Sequence, residues 1–323
     1  MIFHGGPDGG PEPRYDFSTN ANPLGPNPVV QAAVRAADLS RYPDPRYGVL
    51  REHLAAYHRV PAGSVVVGAG ASELIHRLVR VLGGPVLTLE PTFGEYARAA
   101  AVAGVEHRPV FSPEEFLQWL ARVRLAFLAQ PNNPTGELAG ADFVREAARL
   151  AATAGVRLVF DLAYAPLADA SVPVPEGVLR LFAPNKAHGF TGVRAGYLLV
   201  ENACVGERLR ESAPAWVVGK AEETFLAAQS GTAAQSWLAG ALPQLFAWRR
   251  TLAWSLRTLG YDVREGRANF IMARLGEGLA ACLRRRGIRV RDLADKGLSG
   301  WMRLSSQPLP ALAGLARALE ECG

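Results

Sequence analysis

Short apolar runs alternate along the chain with longer stretches in which apolar residues recur every three or four positions. Val65-Val66-Val67 is the first such run, and the stretch from Ala71 to Leu82, with Leu74, Ile75, Leu78, Val79 and Leu82 on one side, follows it with helical spacing. The alternation repeats. Val86–Leu89 reads as a strand and Phe93–Ala103 as a helix. Arg124–Leu128 reads as a strand and Asp142–Ala154 as a helix. Further strands are expected at Val156–Phe160, Leu179–Phe182 and Ala195–Val200. Runs this short and apolar throughout suit strands buried on both faces, and strands linked by helices run parallel. Asn27-Pro28 reads as an N-cap followed by proline at the first helical position, opening a helix over Val29–Ala37. A second helix is expected from Tyr47 to His58. Beyond about residue 201 helical stretches dominate as far as Leu259. Strand Asn269–Ala273, helix Glu277–Arg286, strands Ile288–Arg291 and Trp301–Leu304, and helix Ala311–Glu321 complete the chain.

This pattern predicts an α/β fold: a large domain with a mostly parallel seven-stranded sheet covered by helices, plus a smaller α+β C-terminal domain. The expected boundaries are an irregular arm at 1–27, a large domain at 28–210, and bridging helices with the small domain at 211–323. Hydrophobic residues make up 49% of the 323 positions and charged residues 20%, which excludes a disordered chain. Lys+Arg exceeds Asp+Glu by 35 to 30, a net +5 that is spread along the chain. The densest basic run, Arg284–Arg286 with Arg289 and Arg291, reads as a solvated helix end rather than a nucleic-acid patch. No apolar stretch is long enough to cross a membrane and the N-terminus lacks a signal-peptide pattern, so neither membrane nor nucleic acid is an expected partner and a cytoplasmic location is expected. Cys204, Cys282 and Cys322 are too few and too scattered for a disulfide framework, and the six histidines show no HExxH spacing, so no metal is expected. The basic residues do carry one informative imbalance. Only Lys186, Lys220 and Lys296 are lysines, so chemistry that needs an amine has three candidates.

Ligands of parallel sheets gather at the carboxyl ends of the strands, and each expected strand is followed by suitable groups. After Val65–Val67 comes Gly68-Ala69-Gly70-Ala71-Ser72, where glycine lets the backbone approach a ligand and a helix start offers free N–H groups to an anion. Phosphate is one reading. The other is a dinucleotide, with Gly68 and Gly70 as fingerprint glycines and Glu90, 20 residues beyond Gly70, as the ribose acid; Glu73 at the third glycine position counts against it. Pro91-Thr92-Phe93-Gly94-Glu95-Tyr96 supplies aromatics that can stack on a flat ring. Gln130-Pro131-Asn132-Asn133-Pro134-Thr135-Gly136 is a stiff turn carrying amide donors. Asp161 ends an apolar strand, with Tyr164 three residues on. Lys186 lies between a strand and a glycine-rich loop, where burial would make its amine a usable nucleophile or base, and Arg194, eight residues later, can fork onto a phosphate.

In this order the motifs resemble the fold type I, pyridoxal-phosphate-dependent aminotransferases of classes I and II, over about Asp16 to Arg303. The resemblance implies pyridoxal 5'-phosphate as cofactor. It implies that Lys186 forms the Schiff base and shuttles protons, and that Asp161 pairs with the pyridine nitrogen. Asn133 and Tyr164 would donate to the phenolic oxygen and Tyr96 would stack on the ring. Gly70, Ala71, Ser72 and Arg194 would hold the phosphate. It further implies a homodimer, in which Tyr42 reaches the neighbouring active site, and substrate contacts from His4, Asn22, Arg291 and Arg303. Two branches of the family fit. His4-Gly5-Gly6 and Asp16-Phe17-Ser18-Thr19-Asn20-Ala21-Asn22-Pro23-Leu24-Gly25 resemble threonine-phosphate decarboxylases, which is the leading expectation. The paired arginines and Tyr42-Pro43-Asp44-Pro45 equally fit histidinol-phosphate aminotransferases, the alternative. Both imply a small phosphorylated amino acid or amine as substrate. Two positions depart from the family pattern: Leu162 follows Asp161 where Glu is common, and Ala183 stands where a phosphate-binding hydroxyl is common.

Overall fold

A computed structural model describes residues 4–322. In chain order the strands are β1 (Tyr15–Asp16), β2 (Val65–Gly68), β3 (Val86–Leu89), β4 (His107–Val110), β5 (Leu125–Ala129), β6 (Arg157–Asp161), β7 (Leu179–Phe182), β8 (Gly196–Leu199), β9 (Asp262–Glu265), β10 (Phe270–Arg274), β11 (Ile288–Arg289), β12 (Arg291–Asp292) and β13 (Trp301–Ser305). The helices are α1 (Pro28–Arg35), α2 (Gly48–His58), α3 (Gly70–Leu82), α4 (Glu95–Ala103), α5 (Pro113–Leu120), α6 (Ala141–Ala154), α7 (Ala203–Glu211), α8 (Lys220–Gln229), α9 (Thr232–Thr258), α10 (Leu279–Arg285) and α11 (Leu309–Cys322). The cap read from Asn27-Pro28 is present: the Asn27 side chain accepts from the Val29 amide at the start of α1.

The large sheet has seven strands in the order β2-β8-β7-β6-β5-β3-β4. All its pairings are parallel except those of β8, which runs antiparallel to β2 and to β7. Alternate residues of β5 show why its run is apolar throughout. Leu125 and Phe127 pack with α3 and α4 on one face, while Ala126 and Leu128 pack with α5 and α6 on the other. Burying each large side chain of this kind stabilises by about 1.5–3 kcal/mol. The C-terminal sheet is antiparallel, in the order β12-β13-β10-β9, and packs through Ile271, Met302 and Leu304 against α9, α10 and α11.

Three strands escaped the sequence pattern. β4 (His107–Val110) and β9 (Asp262–Glu265) are edge strands, with water on one side, so neither needs an apolar run. β1 lies within the arm, which is therefore not irregular throughout; it pairs in parallel with β11 and ties the arm to the C-terminal sheet. Two of the cysteines, expected to be too few and too scattered for a disulfide framework, also meet. Cys282 and Cys322 form a disulfide with Cα atoms 6.1 Å apart, joining α10 to α11, and Cys204 is free and exposed. Spacing of 40 residues carries no signal of that contact, which the packing of the two helices creates. Among the described residues no helix is long and apolar enough to cross a membrane, and no cluster of potential metal ligands occurs.

Candidate active site

The carboxyl ends of β2, β3, β5, β6 and β7 open on one cavity of about 440 Å³, whose walls also include the arm and the loop between β12 and β13. The placement follows from the sheet, because each parallel strand delivers its next loop to the same edge.

Asp161 is the last residue of β6 and is buried. Its Oδ1 accepts from the Ala163 amide at 3.0 Å and its Oδ2 from the Tyr96 hydroxyl at 2.9 Å. Burial raises its pKa, and these two bonds and the nearby Lys186 charge oppose that rise only in part. A buried carboxylate on a cavity wall, with no cation in contact, is suited to a ligand that brings a positive charge. Lys186, half-buried, lines the same cavity with its Nζ 5.0 Å from the centre of the Tyr164 ring.

The same cavity carries amide and phenol donors. Arg303 Nη1 donates to Asn133 Oδ1 at 2.5 Å. A guanidinium can only donate, so this bond orients the Asn133 amide and leaves its NH₂ for a ligand. Asn20 Nδ2 donates to the Tyr164 hydroxyl oxygen at 3.2 Å, which leaves the phenol proton available as well. Asn20 Oδ1 is buried without a partner. Arg303 is itself buried. Its Nη2 donates to the Ser18 carbonyl at 2.7 Å, and among the described residues no carboxylate lies within ion-pair distance, Asp16 acting only from farther away. Burial lowers its pKa.

The anion seat is built at the start of α3. Gly70 has φ +86°, and a Cβ there would come within 3.1 Å of the Arg194 guanidinium, so the arginine lies against a backbone that only glycine keeps open. Glu73 braces this loop by accepting from the Ala69 amide at 3.1 Å and from the buried Arg77. The free N–H groups of the first turn, at Ala71 and Ser72, line the cavity together with Arg194. Asn185 and Thr191 also line it near Ala183, so polar groups stand close to the position that lacks a hydroxyl. Glu90 is spent on Thr88 and on the Thr92 amide, which removes the ribose acid of the dinucleotide reading.

Most expected site residues are thus brought together, with departures at Tyr96 and Asn22. Tyr96 has no exposed surface and its ring stacks on Phe127 at 4.6 Å, so it presents no face to a ligand. Its hydroxyl instead fixes Asp161, and Phe93, half-buried and lining the cavity, is the aromatic with a free surface. Asn22 does not line the cavity. Its backbone N–H donates to the Lys186 carbonyl at 2.9 Å and its Nδ2 to the Ala187 carbonyl at 3.1 Å, so it braces the lysine loop instead of touching substrate. Asn20, two residues earlier, takes the cavity side, where its Nδ2 meets the Tyr164 hydroxyl. Arg291 lines the cavity, but its guanidinium is tied to Asp295 Oδ2 at 2.7 Å and to the Asp292 carbonyl. Tyr42 lies outside this chain's cavity, exposed and stacked on Trp216 at 4.5 Å.

His4 lines the entrance, where its Nε2 meets Glu95 Oε1 at 2.9 Å. Gly5 follows so closely against the arm that a Cβ would sit 1.9 Å from the Ser18 carbonyl oxygen and 3.1 Å from Arg303. Glu95 also meets His76 at 3.2 Å, and the His4 bond is the foremost cause that holds its pKa down to about 2. Asn20, Phe93 and Lys296 are among the cavity residues the sequence did not assign a contact. Asn20 was visible in the Asn20-x-Asn22 motif, Phe93 in the run before Tyr96, and Lys296 only as one of three lysines.

The family profile described as aminotransferase class I and II matches residues 13–320. The chain belongs to that family. It is 30% identical to histidinol-phosphate aminotransferase 2 of Rhizobium meliloti strain 1021, over 97% of this chain and 95% of the relative. Its fold is similar to the crystal structure of histidinol-phosphate aminotransferase from Sinorhizobium meliloti in complex with pyridoxal-5'-phosphate, at a TM-score of 0.84 and 24% identity, covering 96% of this chain and 91% of that one. It is equally similar to L-threonine-O-3-phosphate decarboxylase from Porphyromonas gingivalis, at a TM-score of 0.85 and 21% identity, covering 94% and 98%. The protein is accordingly a class I/II aminotransferase-family enzyme with pyridoxal 5'-phosphate as cofactor. The buried uncompensated Asp161, the free amide of Asn133 and the Gly70 cradle fit that group.

Proposed function

We propose that this enzyme transfers the amino group of a small amino compound bearing a phosphate, with histidinol phosphate as the foremost substrate. The observation that carries the reading is one cavity holding Lys186, Asp161 and the buried Arg303. Relatives at 30–32% identity named histidinol-phosphate aminotransferase support this over decarboxylation, the leading expectation from the sequence.

When bound, pyridoxal 5'-phosphate supplies an electron-accepting ring in conjugation with the substrate's reacting carbon. Asp161 would keep positive charge at the ring nitrogen, with Tyr96 and the Ala163 amide holding its carboxylate in place. Asn133 Nδ2 and the Tyr164 hydroxyl would donate to the ring oxygen, and Phe93 would cover the ring. Arg194 and the first-turn N–H groups of α3 would hold the phosphate. Lys186 Nζ would take the proton from the reacting carbon and return it. Arg303 would fix a substrate anion, and Asn22 would keep the lysine loop in register through its backbone bonds.

A second reading, threonine-phosphate decarboxylation, draws support from the His4-Gly5-Gly6 segment at the cavity entrance. The two differ in which bond at the reacting carbon stands perpendicular to the ring. Feeding histidinol phosphate and L-threonine O-3-phosphate in parallel with 2-oxoglutarate tests them. Glutamate from the first supports the aminotransferase. Carbon dioxide from the second, without need of the keto acid, reverses the assignment.

The exposed Tyr42–Trp216 pair supports a homodimer in which Tyr42 serves the neighbouring site. A mixture of Lys186→Ala and Tyr42→Phe chains should then recover activity that neither shows fully alone. A mixture no better than the sum of its parts would refute shared sites.

A further inference from the structure

Six cationic side chains line the cavity: His4, Lys186, Arg194, Arg291, Lys296 and Arg303. Five have a place in what precedes. Lys186 and Arg194 face the cofactor's position. Arg303 is bonded to Asn133 and Ser18 deep in the cavity. His4 is held by Glu95 and Arg291 by Asp295. Lys296 is left over. It ends the short turn Ala294–Lys296 between β12 and β13, and it is half-buried. Its backbone N–H donates to the Leu293 carbonyl, but among the described residues its ammonium has no hydrogen bond and no carboxylate within ion-pair distance. Glu90, Asp295 and Glu95 attract it from farther away and Arg291 repels it, while burial lowers its pKa.

An ammonium withdrawn from water without a partner is costly, and the cost falls when an anion arrives. Arg303 is the inner cation of the cavity, because it touches Asn133. Lys296 reaches the cavity from a separate element, the turn Ala294–Lys296, and is not bonded to that inner group. We propose that Lys296 seats a substrate oxyanion remote from the reacting carbon, so that the enzyme selects amino compounds carrying such an acidic group. The ligand chemistry is a phosphate monoester or a carboxylate. A lysine suits this task as a point charge on a flexible stem, able to follow substrates of somewhat different length. The inference rests on the functional reading above and adds to it a residue that decides specificity.

The test uses the cofactor-loaded enzyme and the variants Lys296→Gln and Lys296→Arg. Two paired measurements and one single one are made: KM and kcat for a phosphorylated amino substrate and its dephosphorylated form, the same for a dicarboxylic amino acid and its distal amide, and inhibition by inorganic phosphate. For Lys296→Gln the preference for the phosphorylated form should fall about tenfold, with the loss in KM rather than kcat, as expected for one charge-assisted contact. Inhibition by inorganic phosphate should weaken by a similar factor. Lys296→Arg should recover most of both. Equal changes for both members of each pair, or no change, would overturn the proposal. If the wild-type enzyme instead prefers the dicarboxylic acid and Lys296→Gln erases that preference, Lys296 keeps its role and the phosphate-substrate reading falls. If the wild-type enzyme ignores distal anions of both kinds, both fall.

Discussion

The floor and the entrance of the cavity are built on different terms. Every group on the floor stands within a few residues of a buried strand: Gly70 after β2, Asn133 after β5, Asp161 at the end of β6 and Lys186 after β7. The entrance is assembled from segments far apart in the chain, as when His4 meets Glu95 across 91 positions. The first construction leaves local motifs, while the second leaves composition and little else. The floor is where the reaction is carried, and the entrance is where one substrate is told from another.

That division can be broken by mutation. Lys186→Ala should lower turnover on the order of 10⁴-fold, with borohydride no longer fixing the cofactor to the chain and the circular dichroism unchanged. Retention of the label on Lys220 or Lys296 would move the floor elsewhere. Asp161→Asn should cost on the order of 10²–10³ in kcat, since the isosteric amide keeps the shape and drops the charge; a loss of cofactor content with normal kcat in the molecules that keep it would contradict this role.

How far each region was legible in the sequence follows the same line. β5 and β6 were readable because their residues are apolar on both faces, and the site groups simply follow them. β4 and β9 were not, because edge strands keep polar residues. Tyr96 and Asn22 were assigned to ligand because side-chain direction is not encoded in spacing. Tyr96 turned out to point its hydroxyl at Asp161, and Asn22 to spend its amide on Ala187. Lys296 belongs to no motif, and its position depends on how the C-terminal sheet meets the large one.

Smaller effects sharpen the comparison. Asn22→Ala should destabilise the protein by about 1–3 kcal/mol, since a buried carbonyl at Ala187 loses its donor, and denaturant unfolding would measure it. An unchanged unfolding midpoint would show that the arm does not brace the lysine loop. The smallest expected change concerns pH. Glu95 has its pKa held at about 2 against an ordinary 4.5, so its contribution to stability is full above 4.5 and fades as pH falls toward 2. Wild type and Glu95→Gln should therefore differ most near neutrality and converge in acid when unfolding is followed across that range. A gap that persists undiminished at the acid end would rule out ionisation of Glu95 as its source.

The reversed direction of β8 has an engineering corollary. Its start faces the same way as the finish of β7 beside it, so the bridge from Lys186 to Arg194 springs from two adjacent ribs about 4.8 Å apart. Residues spliced into its exposed crown at Thr191-Gly192 would lengthen the span while both abutments stay put, and would change only the stretch of cavity rim that those two residues line. The same insertion between Phe182 and Lys186 would slide one abutment, and the lysine with it, out of alignment.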